Sequence, residues 1–135
     1  MTPVFQSCVD KDRGDCERAV IASLFDLELE QVPNFILFKR KWFEIYRHFL
    51  FGLGYGYKGT CHLSAVEYAG KSINGYFEAG IPSRTFPGVF HAVVMDEKGF
   101  VAHDPNPNKL CLGLNILDLD GTVMMIDKVP YDERI

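Results

Sequence analysis

Val89–Phe90–His91–Ala92–Val93–Val94–Met95, then Asp96–Glu97–Lys98–Gly99, then Phe100–Val101–Ala102–His103–Asp104 before Pro105, is the stretch that decides the fold class. Two runs rich in β-branched and aromatic residues flank four residues of turn chemistry, which is the pattern of an antiparallel hairpin. A further strand is predicted at Thr122–Val129. Upstream the period changes. Cys16, Ala19, Val20, Ser23 and Leu24 recur at spacings of three and four, the apolar stripe of a helix that ends near Asp26. Asp15 is placed to cap that helix by accepting from its first-turn amides, and Gly14 allows a sharp approach.

Trp42, Phe43, Tyr46, Phe49 and Leu50 share one face of a second predicted helix, from about Lys39 to Phe51. Its polar side holds Lys39, Arg40, Lys41, Glu44 and Arg47, and Gly52, Gly54 and Gly56 end it. Leu29–Val32 is expected to add a short turn, Cys61–Ala69 a short helix, and Gly75–Gly88 mostly loop. Helices first and antiparallel strands later describe an α+β protein, with N-terminal helices packed on a small antiparallel sheet.

The chain has 135 residues, 47% apolar and 24% charged, which suits one core and a single domain over 1–135 and is too apolar for disorder. With 14 basic and 18 acidic residues the net charge is −4, so no nucleic-acid partner is expected. No apolar run approaches the roughly 20 residues that span a bilayer. The amino terminus lacks a basic stretch followed by an apolar one, so a cytoplasmic protein without a membrane partner is expected. Cys8, Cys16, Cys61 and Cys111 do not have zinc-site spacing, even with His62 beside Cys61, and no metal or cofactor is expected. Gly52-x-Gly54-x-Gly56 lacks the strand–turn–helix setting of a dinucleotide fingerprint. Asp118 and Asp120 are too few for a calcium loop. Lys39–Arg40–Lys41 reads as a solvated helix face and Trp42 as a packing residue.

Cys16, His91 and Asp104 form the strongest chemical constellation. A cysteine in the first turn of a helix faces unpaired amides and the positive end of the helix dipole, both of which favour the nucleophilic thiolate. Histidine is the suitable proton shuttle near neutral pH. If the hairpin turns at Asp96–Gly99, His91 and Asp104 approach each other across the ladder, and Asp104 can hold one ring nitrogen while the other faces Cys16. Each residue also admits a plainer role: a buried small hydrophobe for Cys16, a satisfied strand histidine for His91, a turn opener for Asp104. His103 is the local rival of His91, although strand alternation turns it away from Asp104.

The runs Gly14–Asp15–Cys16–Glu17–Arg18–Ala19–Val20–Ile21–Ala22–Ser23–Leu24–Phe25 and Val32–Pro33–Asn34–Phe35 resemble the start of small papain-like cysteine-peptidase-fold proteins of bacteria and phages. His91–Ala92–Val93–Val94 and His103–Asp104–Pro105–Asn106–Pro107 resemble their second half, and the set is similar to the C39-like peptidases. The resemblance implies a papain-like fold with Cys16 as nucleophile, His91 as general base and acid, and Asp104 as the residue orienting it. It also implies a glutamine upstream of the cysteine in the oxyanion hole. Gln6 is the only candidate, at a spacing of ten residues that exceeds the C39-like pattern.

The implied activity is hydrolysis of a peptide or isopeptide bond in a peptide or protein substrate, through a thioester acyl-enzyme. Deamidation or acyl transfer by the same cysteine, and a catalytically silent interaction protein of this fold, are the alternatives; a protein partner or a homodimer is left open. The loop Gly80–Gly88 is expected to line the cleft, with Arg84 solvated and Tyr76 and Phe77 in the core.

Overall fold

A computed structural model of the chain describes residues 1–12, 14–62 and 71–130. Its helices are α1 (Cys16–Leu24) and α2 (Trp42–Gly52). Its strands are β1 (Tyr55–Cys61), β2 (Tyr76–Pro82), β3 (Phe90–Asp96), β4 (Val101–His103) and β5 (Thr122–Lys128). They form one sheet in the order β1-β5-β2-β3-β4, with every neighbouring pair antiparallel. The chain is therefore α+β, and the first helix, the β3–β4 hairpin and the last strand lie where the sequence pattern puts them.

Alternation along β3 feeds two cores. Ala92 and Val94 pack with Val20, Ile21 and Leu24 of α1 and with Tyr46 and Leu50 of α2. Val93 and Met95 pack on the opposite side with Ala79, Ile81, Val101 and Val123. The segment after β4 closes that second side, with Cys111, Ile116 and Leu119 buried in it.

Three expectations are corrected. Residues 76–82 are not loop but the central strand β2, paired with both β3 and β5. Burial on both faces removes the polar alternation that marks a strand, since Phe77, Glu78 and Ala79 are all buried. Gly80 and Pro82 further disguise it. Gly52 closes the second helix as expected, but Gly54 and Gly56 do more than stop it: β1 starts at Tyr55, and its register shifts between Tyr57 and Gly59, where Gly59 has φ 118°.

The second helix begins at Trp42, because Lys39 adopts φ 53°, ψ −116° at the end of a 3₁₀ segment, Phe35–Lys41. Trp42 is no core residue. It is 39% exposed, although its ring meets Phe43 at 5.4 Å and Tyr46 at 6.2 Å between ring centroids. The expected helix Cys61–Ala69 falls mainly outside the described residues; Cys61 itself closes β1. Among the described residues no helix is long and apolar enough to cross a membrane.

Candidate active site

The site is assembled from two distant pieces, residues 6–16 and 91–104. The first piece is a strap that runs beside α1. Thr2 N–H donates to the Ser23 carbonyl (3.1 Å) and Val4 N–H to Ser23 Oγ (2.9 Å). His103 Nε2 donates to the Val4 carbonyl at 2.7 Å, and Gln6 N–H donates to the Pro105 carbonyl at 2.9 Å. His103 is buried and meets Phe5 edge-on at 5.0 Å. It fastens the strap, which leaves His91 as the histidine beside Cys16.

Asp15 does not cap α1 as expected. Its buried carboxylate turns back to the strap, accepting Ser7 Oγ–H at 2.6 Å and Cys8 N–H at 2.9 Å, with Arg18 Nη1 3.7 Å away. Two strap donors held at short range outcompete the first-turn amides for the same oxygens. Gly14 donates its N–H to the Asp10 carbonyl, and a Cβ at Gly14 would sit 2.5 Å from that oxygen. Glycine is required here by close approach rather than by an unusual φ.

These contacts fix Cys16 as the first residue of α1, half-buried, with a backbone N–H that has no intrahelical acceptor. The second piece holds the imidazole. His91 Nε2 lies 2.7 Å from Asp104 Oδ1, which leaves Nδ1 as the ring nitrogen available to Cys16, a neighbour that lines the same cleft and whose interaction raises the ring's pKa. Asp104 is itself immobilised: Oδ1 accepts Asn106 N–H at 3.0 Å and Oδ2 accepts Cys111 N–H at 3.1 Å.

Burial alone would lower the His91 pKa. The hydrogen bonds and charges of Asp104 and Cys16 outweigh it and raise the value to about 9. For Asp104, burial acts upward, but the bond and charge of His91 and the two backbone amides hold the carboxyl below its usual range. At pH 7 the ring is therefore an imidazolium between a carboxylate and a sulfur.

A cleft of about 50 Å³ opens over these groups, lined among others by Gln6, Cys16, Ile36, Phe86 and His91. The Gly80–Gly88 loop contributes Ser83, Thr85 and Phe86, while Arg84 is exposed, as expected. Gln6 lines the cleft with Cys16 and His91 but makes no hydrogen bond to Cys16, His91 or Asp104. Its Nε2 donates to the Cys8 carbonyl at 2.8 Å, which uses one of the two amide hydrogens, and its buried Oε1 has no partner among the described residues. No family model, curated protein or solved structure matches this chain. Among the described residues the cysteines are free, and no group of three or more His, Cys, Asp or Glu is arranged to hold a metal.

One cluster escapes the sequence pattern. Tyr46 Oη–H donates to Glu78 Oε1 at 2.6 Å, deep between α2 and β2, and a second buried acid, Glu17, interacts electrostatically with the same carboxyl while its Oε1 has no hydrogen-bond partner among the described residues. Burial, then the nearby charges of Glu78 and Cys16, push the Glu17 pKa well above its usual value. Burial raises Glu78 as well, partly offset by its bonds to Glu17 and Tyr46. A raised acid stabilises the fold fully below its unfolded pKa and loses that contribution as pH rises through the folded value.

Glu17→Gln keeps a donor for Glu78 without the titration. We expect it to stabilise the protein at pH 8, a gain that fades towards pH 4, in urea melts at several pH values. A loss of stability equal at both ends of the range would place the proton elsewhere. The only sequence signal was an acidic residue adjoining Cys16; Glu78 was hidden in the stretch read as loop.

Proposed function

We propose that this chain is a papain-like cysteine hydrolase that cleaves an amide bond through a thioester acyl-enzyme. The observation that carries the reading is the His91 ring gripped at Nε2 by a fixed Asp104, in one cleft with the cysteine that opens α1. A helix start bearing the sulfur against an antiparallel sheet bearing the imidazole also supports the papain-like fold.

The thiolate of Cys16 attacks the carbonyl carbon, forming a C–S bond while the carbonyl pair moves to oxygen. The Cys16 backbone N–H and the second Gln6 amide hydrogen are the donors for that oxyanion. Collapse breaks the C–N bond as His91 gives its proton to the departing amine. Neutral His91 then takes a proton from water, whose oxygen attacks the thioester. The acid is released and the thiolate–imidazolium pair is restored.

p-Nitrophenyl acetate tests the acyl-enzyme directly. The expected result is nitrophenol release with one acetyl group on Cys16 by intact-protein mass, followed by its hydrolysis. Release no faster than from Cys16→Ala overturns the reading. Gln6→Ala is expected to slow acylation by about a hundredfold while leaving alkylation by iodoacetamide unchanged, because only the acyl step develops an oxyanion. Equal slowing of both reactions would make Gln6 merely structural.

A further inference from the structure

The stretch Ile36–Leu37–Phe38–Lys39–Arg40–Lys41–Trp42 is exposed at every residue. Its large apolar members lie uncovered in one continuous run, with Leu37 at 55%, Phe38 at 47% and Trp42 at 39%. Phe35, immediately before it, is buried against Tyr46 at 5.5 Å between ring centroids and roots the segment in the core. The left-handed φ of Lys39 then breaks the chain between the 3₁₀ turn and α2. The result is a projecting knuckle with large apolar tips beside three consecutive cations.

We propose that this knuckle docks the protein on the surface of an anionic lipid bilayer. Aliphatic and aromatic tips that enter the acyl boundary, a tryptophan at headgroup depth and long basic side chains lifting their charges to the phosphates are the features of interfacial binding. Charge distribution favours the same occupant. Taking the three cations from the net −4 leaves −7 on the rest of the chain, so an anionic surface attracts the knuckle and repels the body. The expectation of no membrane partner rested on the lack of a spanning run, a criterion that a surface-lying segment escapes. Ile36 also lines the cleft that holds Cys16 and His91, so docking turns the mouth of that cleft towards the lipid. The docking itself does not depend on the hydrolase reading.

Trp42 is the sole tryptophan and so reports on the knuckle alone. The native protein is mixed with vesicles of phosphatidylcholine, or of phosphatidylcholine with about 30% phosphatidylserine, at about 0.1 M salt. The expected result is a blue-shifted Trp42 emission and co-sedimentation with the anionic vesicles only. Each cation near such a surface contributes about fivefold in partitioning, so the triple Lys39→Gln, Arg40→Gln, Lys41→Gln variant binds about a hundredfold more weakly. Far-UV circular dichroism confirms that the variant is folded. Unshifted emission with the protein left in the supernatant overturns the proposal, as does a triple variant that binds like the native chain. A blue shift without vesicles that grows with protein concentration, together with a dimer mass, also overturns it and assigns the knuckle to a second copy.

Discussion

Iodoacetamide, added in limiting amount at pH 7, is expected to alkylate Cys16 ahead of the other three cysteines, and His91→Ala to slow that labelling by about a thousandfold. The difference rests on surroundings. Cys16 opens a helix and shares its cleft with an imidazole that keeps its proton to about pH 9, and a cationic neighbour at a helix start is the setting of reactive cysteines. Cys111 is buried, and burial followed by the charge of Asp104 pushes its thiol up, so it reacts last. Removing His91 takes away both the cation and the proton acceptor, an effect in the range of about 10²–10⁴ for acid–base partners. Peptide mapping of the labelled protein reads the order. Prior labelling of Cys8 or Cys61, or a rate indifferent to His91, removes the basis of the hydrolase proposal.

Asp104→Ala is expected to lower hydrolytic turnover by about 10³–10⁴-fold and to pull the alkaline limb of the pH profile well below 9. Asp104 both aims the ring through Nε2 and raises its pKa, and a triad orienter carries effects of this order. Asp104→Asn retains an acceptor oxygen. It should keep more turnover than the alanine variant while still moving the limb, which separates orientation from charge.

Stability follows the same pair. His91, raised from 6.5 to about 9, contributes fully below pH 6.5 and loses that contribution as pH rises to about 9. Asp104, lowered, contributes above its unfolded value near 3.8 and loses that contribution as pH falls through its folded value. The pair therefore supports the fold best between about pH 4 and 6.5. Asp104→Ala flattens both limbs in denaturant melts and leaves the Asn106 and Cys111 amides without their acceptor, a cost of about 2–4 kcal/mol. An unchanged pH profile would mean that the 2.7 Å contact does not control the ring.

How much of this was legible depended on whether a residue's role is local. Cys16 at a helix start and the Val89–Asp104 hairpin are written in short-range period and turn chemistry, and the structure follows them closely. The Asp104–His91 contact came from the same hairpin geometry, though β4 is only three residues long and Asp104 lies just past its end. β2 was invisible because its burial on both faces and its buried glutamate depend on Tyr46, which lies 32 positions earlier in the chain. Asp15 went to the strap because the competing donors, Ser7 and Cys8, come from a segment whose path no periodicity reveals. Trp42 was half legible. Its spacing matches the apolar face and its ring meets Phe43 and Tyr46, but in the first turn of α2 it stays 39% exposed.

The strap has a mechanical consequence. Tension applied at the amino-terminal end, by a fusion partner or a tether, is met first by the bonds of Thr2 and Val4 to Ser23, of Val4 to His103 and of Gln6 to Pro105. Only when those anchors part does the pull reach Ser7, Cys8 and the Asp15 carboxylate, one position before the sulfur-bearing residue. The chemistry is thereby shielded from a tether by a short series of bonds to α1 and β4.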